Sequence, residues 1–465
     1  MNLLGIFYFF GICIFPVIII SLINILFCIY FDYFVNIDSY IYIFIISTLI
    51  FYITKKIKVK KKDINKFEIL IFSLLIYFSI PVILSLPFYL GGYLSLPYSY
   101  FESMSGFTSV GVTLIENAYF LDEPILLWRS IIQWLGGFYF LLFVISIYGQ
   151  EIFEFLPLKF LQKEKDTNYF HLNFSKNISF VIYAYLILSL IIIFLLNFTD
   201  LRLFEKINLM FSIVSSGAFL SNDINFDSNF EKIILSFCFI FSSINVFFLL
   251  IITKINRQYS LDETKMILIV ICLILFIISL LNRNLEFSDI FLSVTSSSSN
   301  SGLNFTSTTN INIFFLLLTV FIGGSIVSNS SGFKLARLHI IFKNILNEFA
   351  KLIIPSSISN FSIFNSSEKI KNKDFFITCF ILFTYLLVIL IYGLILSFEN
   401  LSFDSVFIIS FLLTFNTYPG SLYGLNDINF TNFNEITLIA SIFIFILSKI
   451  TPLSFILLFK NLLLR

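Results

Sequence analysis

The residues of this chain whose types could do chemistry are small hydroxyl residues and glycines that lie between long apolar runs. The first such stretch, residues 101–117, reads FESMSGFTSVGVTLIEN. A short helix could begin at Glu102, whereas residues 108–113 are small and β-branched with a glycine, which favours extended backbone. Extended backbone inside a membrane needs protein, water or an ion to satisfy its carbonyl groups. The stretch is therefore suited to binding a dehydrated cation through carbonyl and hydroxyl oxygens, with an ordinary exposed loop as the alternative.

The same arrangement recurs three times further along the chain. Residues 205–220, 289–303 and 404–420 read EKINLMFSIVSSGAFL, DIFLSVTSSSSNSGL and DSVFIISFLLTFNTYPG. Each begins with an acid, continues as an apolar segment and reaches a glycine through small polar residues. We expect each acid to complement the dipole at the N-terminal end of a short helix, with attraction of cations to a pore mouth as the alternative role. The four acids are Glu102, Glu205, Asp289 and Asp404. Four such units in one chain predict a pseudo-fourfold pore.

The elements that must position these stretches are membrane-spanning helices. The chain has 465 residues, of which 58% are hydrophobic and 12% charged, and its mean hydropathy of +0.96 excludes a soluble globular protein. A net charge of +1 indicates no nucleic-acid partner. The five cysteines are scattered without metal-site spacing, and the two histidines, with no acid cluster inside a span, form no catalytic constellation. We therefore expect a protein that is not an enzyme.

The apolar runs predict ten spans. They lie near residues 3–30, 39–54, 67–90, 125–150, 177–197, 231–255, 263–281, 311–344, 374–397 and 434–463. The lysine-rich run KKIKVKKK at 55–62 and the basic loops 158–176 and 355–373 should remain cytoplasmic, which places both termini inside and the four stretches outside. The first run lacks a basic flank and a cleavage site, so we interpret it as a retained helix rather than a signal peptide.

We therefore predict an all-α polytopic membrane protein. Four pseudo-repeated helix–pore loop–helix units would surround one central pore, after an N-terminal two-helix segment. The predicted boundaries are 1–62 for the N-terminal segment and 63–157, 158–258, 259–354 and 355–465 for pore units 1 to 4, the third with a broken second helix.

Two features inside the predicted spans are unusual. Residues 323–332, termed the polar loop below, read GGSIVSNSSG and cannot hold a membrane helix well. We expect a broken helix whose unwound part lines a cavity or is buried in protein; a helix with small residues at a packing face is the alternative. Lys449 lies inside the last span, where a charge is expensive and by default faces a water-filled path. Snorkelling to the interface is the alternative for this lysine.

These features resemble the Trk/Ktr/HKT superfamily of potassium transporters over about residues 67–463. The run WRSIIQWLGGFYFLLFVISI, from Trp128, resembles the outer helix of that family's first unit. GFTSVGVT at 106–113 resembles its first selectivity-filter segment, and FIGGSIVSNSSGFK at 321–334 resembles its intramembrane gating loop. Residues 1–54 look like the additional two-helix segment of the TrkH branch.

The resemblance implies a TrkH-like membrane subunit that conducts K⁺, the transported ion, and needs no organic cofactor. It implies a bacterial inner-membrane protein in contact with lipid, a homodimer with one pore per protomer, and a cytosolic nucleotide-binding ring subunit, TrkA-like, as regulator. It also implies that Lys449 replaces a family arginine that projects into the pore.

The resemblance further implies four filter segments, termed segments 1 to 4. They are Thr108, Ser109, Val110 and Gly111; Val214, Ser215, Ser216 and Gly217; Ser299, Asn300, Ser301 and Gly302; and Asn416, Thr417, Tyr418, Pro419 and Gly420. It assigns gating to the polar loop through Gly323, Gly324, Ser325, Ser328, Asn329, Ser330, Ser331 and Gly332.

Segment 4 departs from the family, which usually has Asn-Asn-Leu-Gly-Pro-Gly there. Either Pro419 replaces the filter glycine, or one residue is inserted and Gly420 serves. Proline fixes φ near −65° and cannot adopt a glycine-only conformation, so we predict measurable Na⁺ permeation. A Na⁺-permeable or Na⁺-coupled cation transporter of the same fold is the alternative function. Phe333 also stands where the family tends to have a glycine, which predicts a stiffer loop.

Overall fold

The computed structural model describes residues 3–57, 66–115, 118–155, 170–221, 226, 228–246, 260–305, 311–353, 372–425 and 428–450. Within these residues the chain forms sixteen α-helices and three short 3-10 turns, and no β-strand. Six helices in this part of the chain are long and apolar enough to cross a membrane. They are Leu3–Tyr30, Ile37–Lys55, Glu68–Leu90, Glu123–Val144, Glu263–Leu281 and Phe375–Leu396. The predicted all-α polytopic class is confirmed, and the total of ten spans stays a prediction.

Several predicted features lie outside the described residues. They are Lys58 and residues 59–62 of the lysine-rich run, most of the two basic loops, and the end of the last predicted span, 451–463.

The N-terminal helices α1 (Leu3–Tyr30) and α2 (Ile37–Lys55) form a helical hairpin. Their close approach depends on a small residue, because a Cβ added at Gly11 would lie 1.9 Å from Thr54 Oγ1. Helices that meet through such small residues gain dispersion contacts that a larger side chain would prevent.

The turn of this hairpin is tied to the following unit by a short hydrogen-bonded chain. Asn36 Nδ2 donates to Tyr93 Oη at 2.7 Å, and Tyr93 Oη donates to Asp122 Oδ2 at 3.1 Å. Burial and the neighbouring Asp122 carboxylate raise the pKa of Tyr93 to about 12, so its phenol remains a donor at neutral pH. The hairpin is therefore fixed to the loops that flank segment 1.

After the hairpin, the described helices fall within the four predicted pore units, whose repetition stays a prediction. The first unit contains α3 (Lys66–Leu84), α4 (Leu86–Leu90), α5 (Leu96–Phe107) and α6 (Glu123–Phe155). The second contains α7 (Phe170–Leu196), α8 (Leu203–Ser215) and α9 (Asn229–Ser243). The third contains α10 (Ser260–Leu281), α11 (Phe287–Ser298), α12 (Ile313–Ile322) and α13 (Leu335–Ile353). The fourth contains α14 (Asn372–Leu396), α15 (Phe403–Thr414) and α16 (Glu435–Ile450). Helices α5, α8, α11 and α15 lead into segments 1 to 4.

Three of the four short helices carry their acid in the first turn, as predicted: Glu205 in α8, Asp289 in α11 and Asp404 in α15. The prediction for Glu102 is wrong. Helix α5 begins at Leu96, with a proline in its first turn, so Glu102 lies in its second half. A role for Glu102 at the N-terminal end of a helix dipole is therefore excluded.

Two predicted spans are interrupted within the described residues. The first, 67–90, is interrupted at Ser85, just before the proline-containing start of α4. In the run 231–255, helix α9 ends at Ser243, because the Ser243 carbonyl accepts a hydrogen bond from the Ser325 N–H at 2.9 Å. The polar loop thus takes the place of the next helical turn.

Candidate functional site

Segments 1 to 4 share one backbone turn. Shortly after each short helix ends, a residue other than glycine has a positive φ; these residues are Ser109 (59°), Ser216 (55°), Asn300 (60°) and Asn416 (54°). The N–H group of each donates to the carbonyl three residues earlier, at 2.8–3.1 Å. This conformation costs about 1–2 kcal/mol for a residue with a Cβ, and such strain collects at functional sites. The shared turn gives the four segments a common register.

Two residues further on, segments 1 and 3 have glycines with positive φ, Gly111 (80°) and Gly302 (68°). The equivalent residues elsewhere are Ala218, which directly follows segment 2, and Tyr418 of segment 4. A Cβ on Gly111 would lie 2.5 Å from Ala218 Cβ, and a Cβ on Gly302 would lie 2.7 Å from Tyr418 O. Segment 1 therefore packs on segment 2, and segment 3 on segment 4, with no room for a side chain at either glycine.

The register of segment 4 answers the question that Pro419 and Gly420 raise in the sequence. Neither residue occupies the place of Gly302, because Tyr418 does. The Gly420 N–H donates to Tyr418 O at 3.1 Å, which closes a three-residue turn around Pro419. The fixed φ of proline suits the centre of such a turn. The Tyr418 carbonyl is thus engaged within its own segment, and segment 4 is built differently from segments 1 and 3.

The side chains of the segments are buried and several connect neighbouring segments. Every side chain in segments 1 to 3 is buried, as are those of Asn416 and Thr417. Asn300 Nδ2 donates to Thr417 Oγ1 at 3.1 Å, which links segment 3 to segment 4. Ser448, on α16, donates to Asn416 Oδ1 at 2.9 Å. The segments are therefore held by defined hydrogen bonds rather than lying as loose loops.

Gln133 on α6 supports segment 2 and is not among the predicted site residues. With the amide oriented to satisfy its neighbours, its oxygen accepts from Phe219 N–H at 2.7 Å and Ala218 N–H at 3.2 Å, and its nitrogen donates to Ser212 Oγ at 2.9 Å. A Cβ added at Gly217 would lie 2.7 Å from the same amide. A buried glutamine in an apolar helix was the available signal for such a role.

Two glycines of the same helix let α6 approach the segments. A Cβ on Gly136 would lie 1.8 Å from Phe107 O, at the end of α5. A Cβ on Gly137 would lie 2.6 Å from Tyr185 Oη and 2.8 Å from Asn329 Nδ2. The sequence WRSIIQWLGGF therefore supplies a close-packed surface that contacts segment 1, segment 2 and the polar loop.

Glu102 is fully buried behind segment 1 instead of facing the outer surface. It accepts hydrogen bonds from Thr113 Oγ1 and Leu114 N–H, each at 2.9 Å, and pairs with Arg129 at 2.9 Å. In the sequence, Glu102 is interpreted as an acid at the N-terminal end of a short helix. Its true partner, Arg129, is far along the chain and could not be inferred from local spacing.

The polar loop closes on itself between α12 and α13. Helix α12 ends at Ile322 and α13 begins at Leu335, so the helix is interrupted rather than continuous with a small-residue face. Gly323 and Gly332 have φ of 63° and 92°, which only glycine adopts readily. The Phe333 N–H donates to Phe321 O at 2.8 Å, so the two ends of the loop meet.

The polar loop is buried and bound to the elements around it. Asn329 Nδ2 donates to the Val214 carbonyl of segment 2 at 2.7 Å and to Tyr185 Oη at 3.3 Å. The Val246 N–H, after α9, donates to Val327 O at 2.9 Å. The loop therefore lies directly against segment 2.

Three charged side chains converge on the polar loop, of which the sequence singled out only Lys449. Lys449 Nζ donates to Asn329 O at 3.4 Å and lies 4.9 Å from the centroid of the Phe140 ring. Lys334 Nζ donates to the carbonyls of Ser325, at 2.9 Å, and Ser330. The Ile326 N–H donates to Glu263 Oε1 at 2.9 Å. Glu263 begins its apolar run, where a charge is ordinarily a flanking residue, and Lys334 follows the polar loop by two residues, so sequence alone does not reveal their inward contacts.

Comparison with known proteins gives relatives for this architecture. No model of a known protein family matches the chain. An uncharacterised cation transporter of Methanocaldococcus jannaschii is 25% identical over 305 residues, 64% of this chain and 63% of that protein. The Trk system potassium uptake protein TrkH of Escherichia coli K12 is 25% identical over 298 residues, 58% of this chain and 60% of that protein. The chain thus aligns with about three fifths of the length of these curated relatives.

A solved structure matches along the whole chain. The crystal structure of the potassium transporter TrkH from Vibrio parahaemolyticus superposes with a TM-score of 0.85 at 19% identity and covers 100% of both chains. At this identity the match establishes the fold.

Proposed function

We propose that this chain, which belongs to the Trk/TrkH-like superfamily, is the K⁺-conducting membrane subunit of a potassium-uptake system. Dehydrated K⁺ would pass between segments 1 to 4, which would surround one pore and offer backbone carbonyls with help from the hydroxyls of Thr108, Ser215 and Ser301. The polar loop would close the path on one side of the segments and move aside on activation. The relatives' names describe potassium uptake and cation transport, which is the same class of activity.

The observation that carries this proposal is the repeated strained turn at the end of four short helices. Four residues other than glycine hold the same left-handed conformation, and they do so at the C-terminal ends of α5, α8, α11 and α15. The C-terminal end of a helix carries partial negative charge, which favours a cation there. The strained turn occurs four times, beside buried hydroxyls, and neither Gly111 nor Gly302 has room for a side chain. This arrangement is well suited to aligning carbonyl oxygens.

Growth on limiting K⁺ tests the proposal. Expression of the chain in a bacterial strain without K⁺ uptake should restore growth at micromolar K⁺, with a co-expressed regulatory subunit if the chain alone is silent. The Gly302→Val variant is the control and should not restore growth. Its β-branched side chain would collide with Tyr418 O, and position 302 has a φ of 68° that valine rarely adopts. Absence of growth and of ⁸⁶Rb⁺ uptake with the correctly inserted wild-type protein would contradict K⁺ transport.

A Na⁺-permeable transporter of the same fold is the second candidate, and segment 4 favours it. At the position of Gly302, Tyr418 offers a carbonyl that already accepts from Gly420 N–H. A ring with one carbonyl engaged elsewhere coordinates K⁺ less completely and discriminates less against Na⁺.

Replacing Pro419 with glycine should increase the preference for K⁺ over Na⁺. Glycine frees the turn around position 419, so the Tyr418 carbonyl can rotate toward the ion path. We expect the K⁺/Na⁺ permeability ratio to rise about three- to tenfold, the equivalent of about one hydrogen bond gained. Reversal potentials under K⁺/Na⁺ bi-ionic conditions measure this ratio directly.

Pro419→Ala is the matched control, since it removes the ring without giving glycine's freedom. A rise with alanine as large as with glycine would assign the effect to the ring alone. A wild-type pore that already excludes Na⁺ strongly, and that Pro419→Gly leaves unaltered, would contradict the role given to segment 4.

We further propose a homodimer regulated by a cytosolic nucleotide-binding ring subunit, in a bacterial inner membrane with both termini cytoplasmic. Helix α13 has the exposed apolar residues Phe342, Phe349, Leu352 and Ile353, which lipid or a second protomer would cover. Light scattering of the detergent-solubilised protein would report the dimer, and accessibility of cysteines placed at each terminus would report the topology.

A further inference from the structure

A buried ion pair stands behind segments 1 and 2. Glu102, on α5, is fully buried and Arg129, on α6, is 3% exposed, with Arg129 Nη2 2.9 Å from Glu102 Oε1. Desolvating two charges costs about as much as their attraction returns, so apolar residues of the same volume would stabilise the fold equally well. Stability alone therefore does not account for this pair.

The pair binds the chain immediately after segment 1. Thr113 Oγ1 donates to Glu102 Oε1 at 2.9 Å and accepts from Arg129 Nη2 at 3.0 Å. The Leu114 N–H donates to the other carboxylate oxygen, Oε2, at 2.9 Å. Both carboxylate oxygens thus fix the backbone that leaves Gly111.

The same arginine also contacts the residues that directly follow segment 2. Its guanidinium carbon lies 4.2 Å from the centroid of the Phe219 ring, within cation–π distance. Phe219 directly follows Ala218, the residue that packs against Gly111. Arg129 therefore contacts Thr113, after segment 1, and Phe219, after segment 2. Both contacts lie beside the point where Gly111 packs on Ala218.

The other three segments lack this arrangement at the equivalent position. Glu102 lies seven residues before the left-handed Ser109; the same offset from the other three left-handed residues gives Leu209, Ser293 and Ile409. The carboxylate is specific to the first segment, whereas the turn it supports is common to all four.

We infer that Glu102 and Arg129 are positioning residues for ion selectivity, because together they set the spacing between segments 1 and 2. This inference rests on the proposed cation conduction. Selectivity depends on the number and placement of carbonyls around the ion. Charge-assisted hydrogen bonds hold backbone more firmly than neutral ones, so losing the pair lets the two segments relax around the smaller Na⁺.

The test uses two variants of the full-length protein. Glu102→Gln with Arg129→Met removes both charges and keeps the volume, which avoids leaving one charge buried alone. Thr113→Val keeps the shape and removes the hydroxyl that joins the pair to the chain after segment 1. We expect the K⁺/Na⁺ permeability ratio to fall about three- to tenfold in the double variant, and less in Thr113→Val, while cation flux persists.

Lys232→Met with Asp289→Asn is the matched control. This pair is also buried, with Lys232 Nζ 2.7 Å from Asp289 Oδ1, but it joins α9 to the first turn of α11, at the end away from segment 3. Its loss should leave the permeability ratio unchanged.

Each outcome decides the inference. A wild-type ratio in the folded double variant, or an equal fall in the control, overturns it. If the double variant does not fold, Thr113→Val decides alone, and an unchanged ratio overturns the inference. A wild-type protein that conducts no cation contradicts the proposed function itself.

Discussion

Deleting residues 324–331 should produce a protein with high basal ⁸⁶Rb⁺ uptake in proteoliposomes. The structure makes this deletion unusually conservative, because a Cβ on Gly332 would lie 2.7 Å from the Gly323 Cα. The two glycines can therefore be joined directly, since consecutive Cα atoms lie about 3.8 Å apart. If the loop is a plug, a minor open state of about 0.1–10% becomes the only state, so uptake rises at least about tenfold.

The matched control exchanges the same residues for a flexible Gly-Ser segment of equal length. This loop still occupies the space but loses the contact of Asn329 with Val214 O, so its uptake should fall between that of the wild type and the deletion. Unchanged or lost uptake in a correctly folded deletion variant would count against the loop as a plug.

The interruption of the third unit could be predicted because its cause is local. Seven Gly and Ser residues within 323–332 cannot sustain a helix at any position in the fold. The elements into which the loop is folded could not be predicted, because they come from distant parts of the chain. Val214 and Glu263 each contact the loop through one hydrogen bond, and neither has a neighbour in sequence that indicates it.

The four segments show the same division between local and tertiary causes. Glycine and hydroxyl content locates each segment after its helix. The register within a segment depends on where the helix ends, and this is set by packing such as that of Gly302 on Tyr418 O. Glycine spacing in the sequence therefore suggests Pro419 or Gly420 as the equivalent of Gly302 in segment 4. The backbone hydrogen bonds show that Tyr418 occupies this position.

Glu102 is misassigned for a related reason. The sequence predicts that a helix begins at Glu102, because an acid in the first turn is a common start signal. Helix α5 begins six residues earlier, at Leu96, and the Glu102 side chain pairs with Arg129 on α6. The sequence pattern of a single helix does not predict an ion pair with a residue of another helix.

Replacing Lys449 with glutamine should increase conductance to both K⁺ and Na⁺. Lys449 is 1% exposed, and its ammonium donates to Asn329 O, so it brings a positive charge to the loop that lies against segment 2. A unit charge about 8–16 Å from a passing cation opposes it by roughly 1–2 kcal/mol at an effective dielectric constant of about 20. We expect single-channel conductance, or ⁸⁶Rb⁺ flux, to rise about five- to thirtyfold, since each 1.36 kcal/mol is tenfold in rate.

Lys449→Arg is the matched control, because it keeps the charge in a side chain of similar length. It should conduct like the wild type, and its Phe140 contact should persist as a cation–π interaction. The K⁺/Na⁺ permeability ratio should remain constant in both variants, because a single charge outside the segments opposes the two monovalent ions equally. Equal conductance in the wild type and in Lys449→Gln would show that the ammonium is directed away from the ion path. A rise in conductance in Lys449→Arg as large as in Lys449→Gln would show that packing of the polar loop, rather than charge, limits the flux.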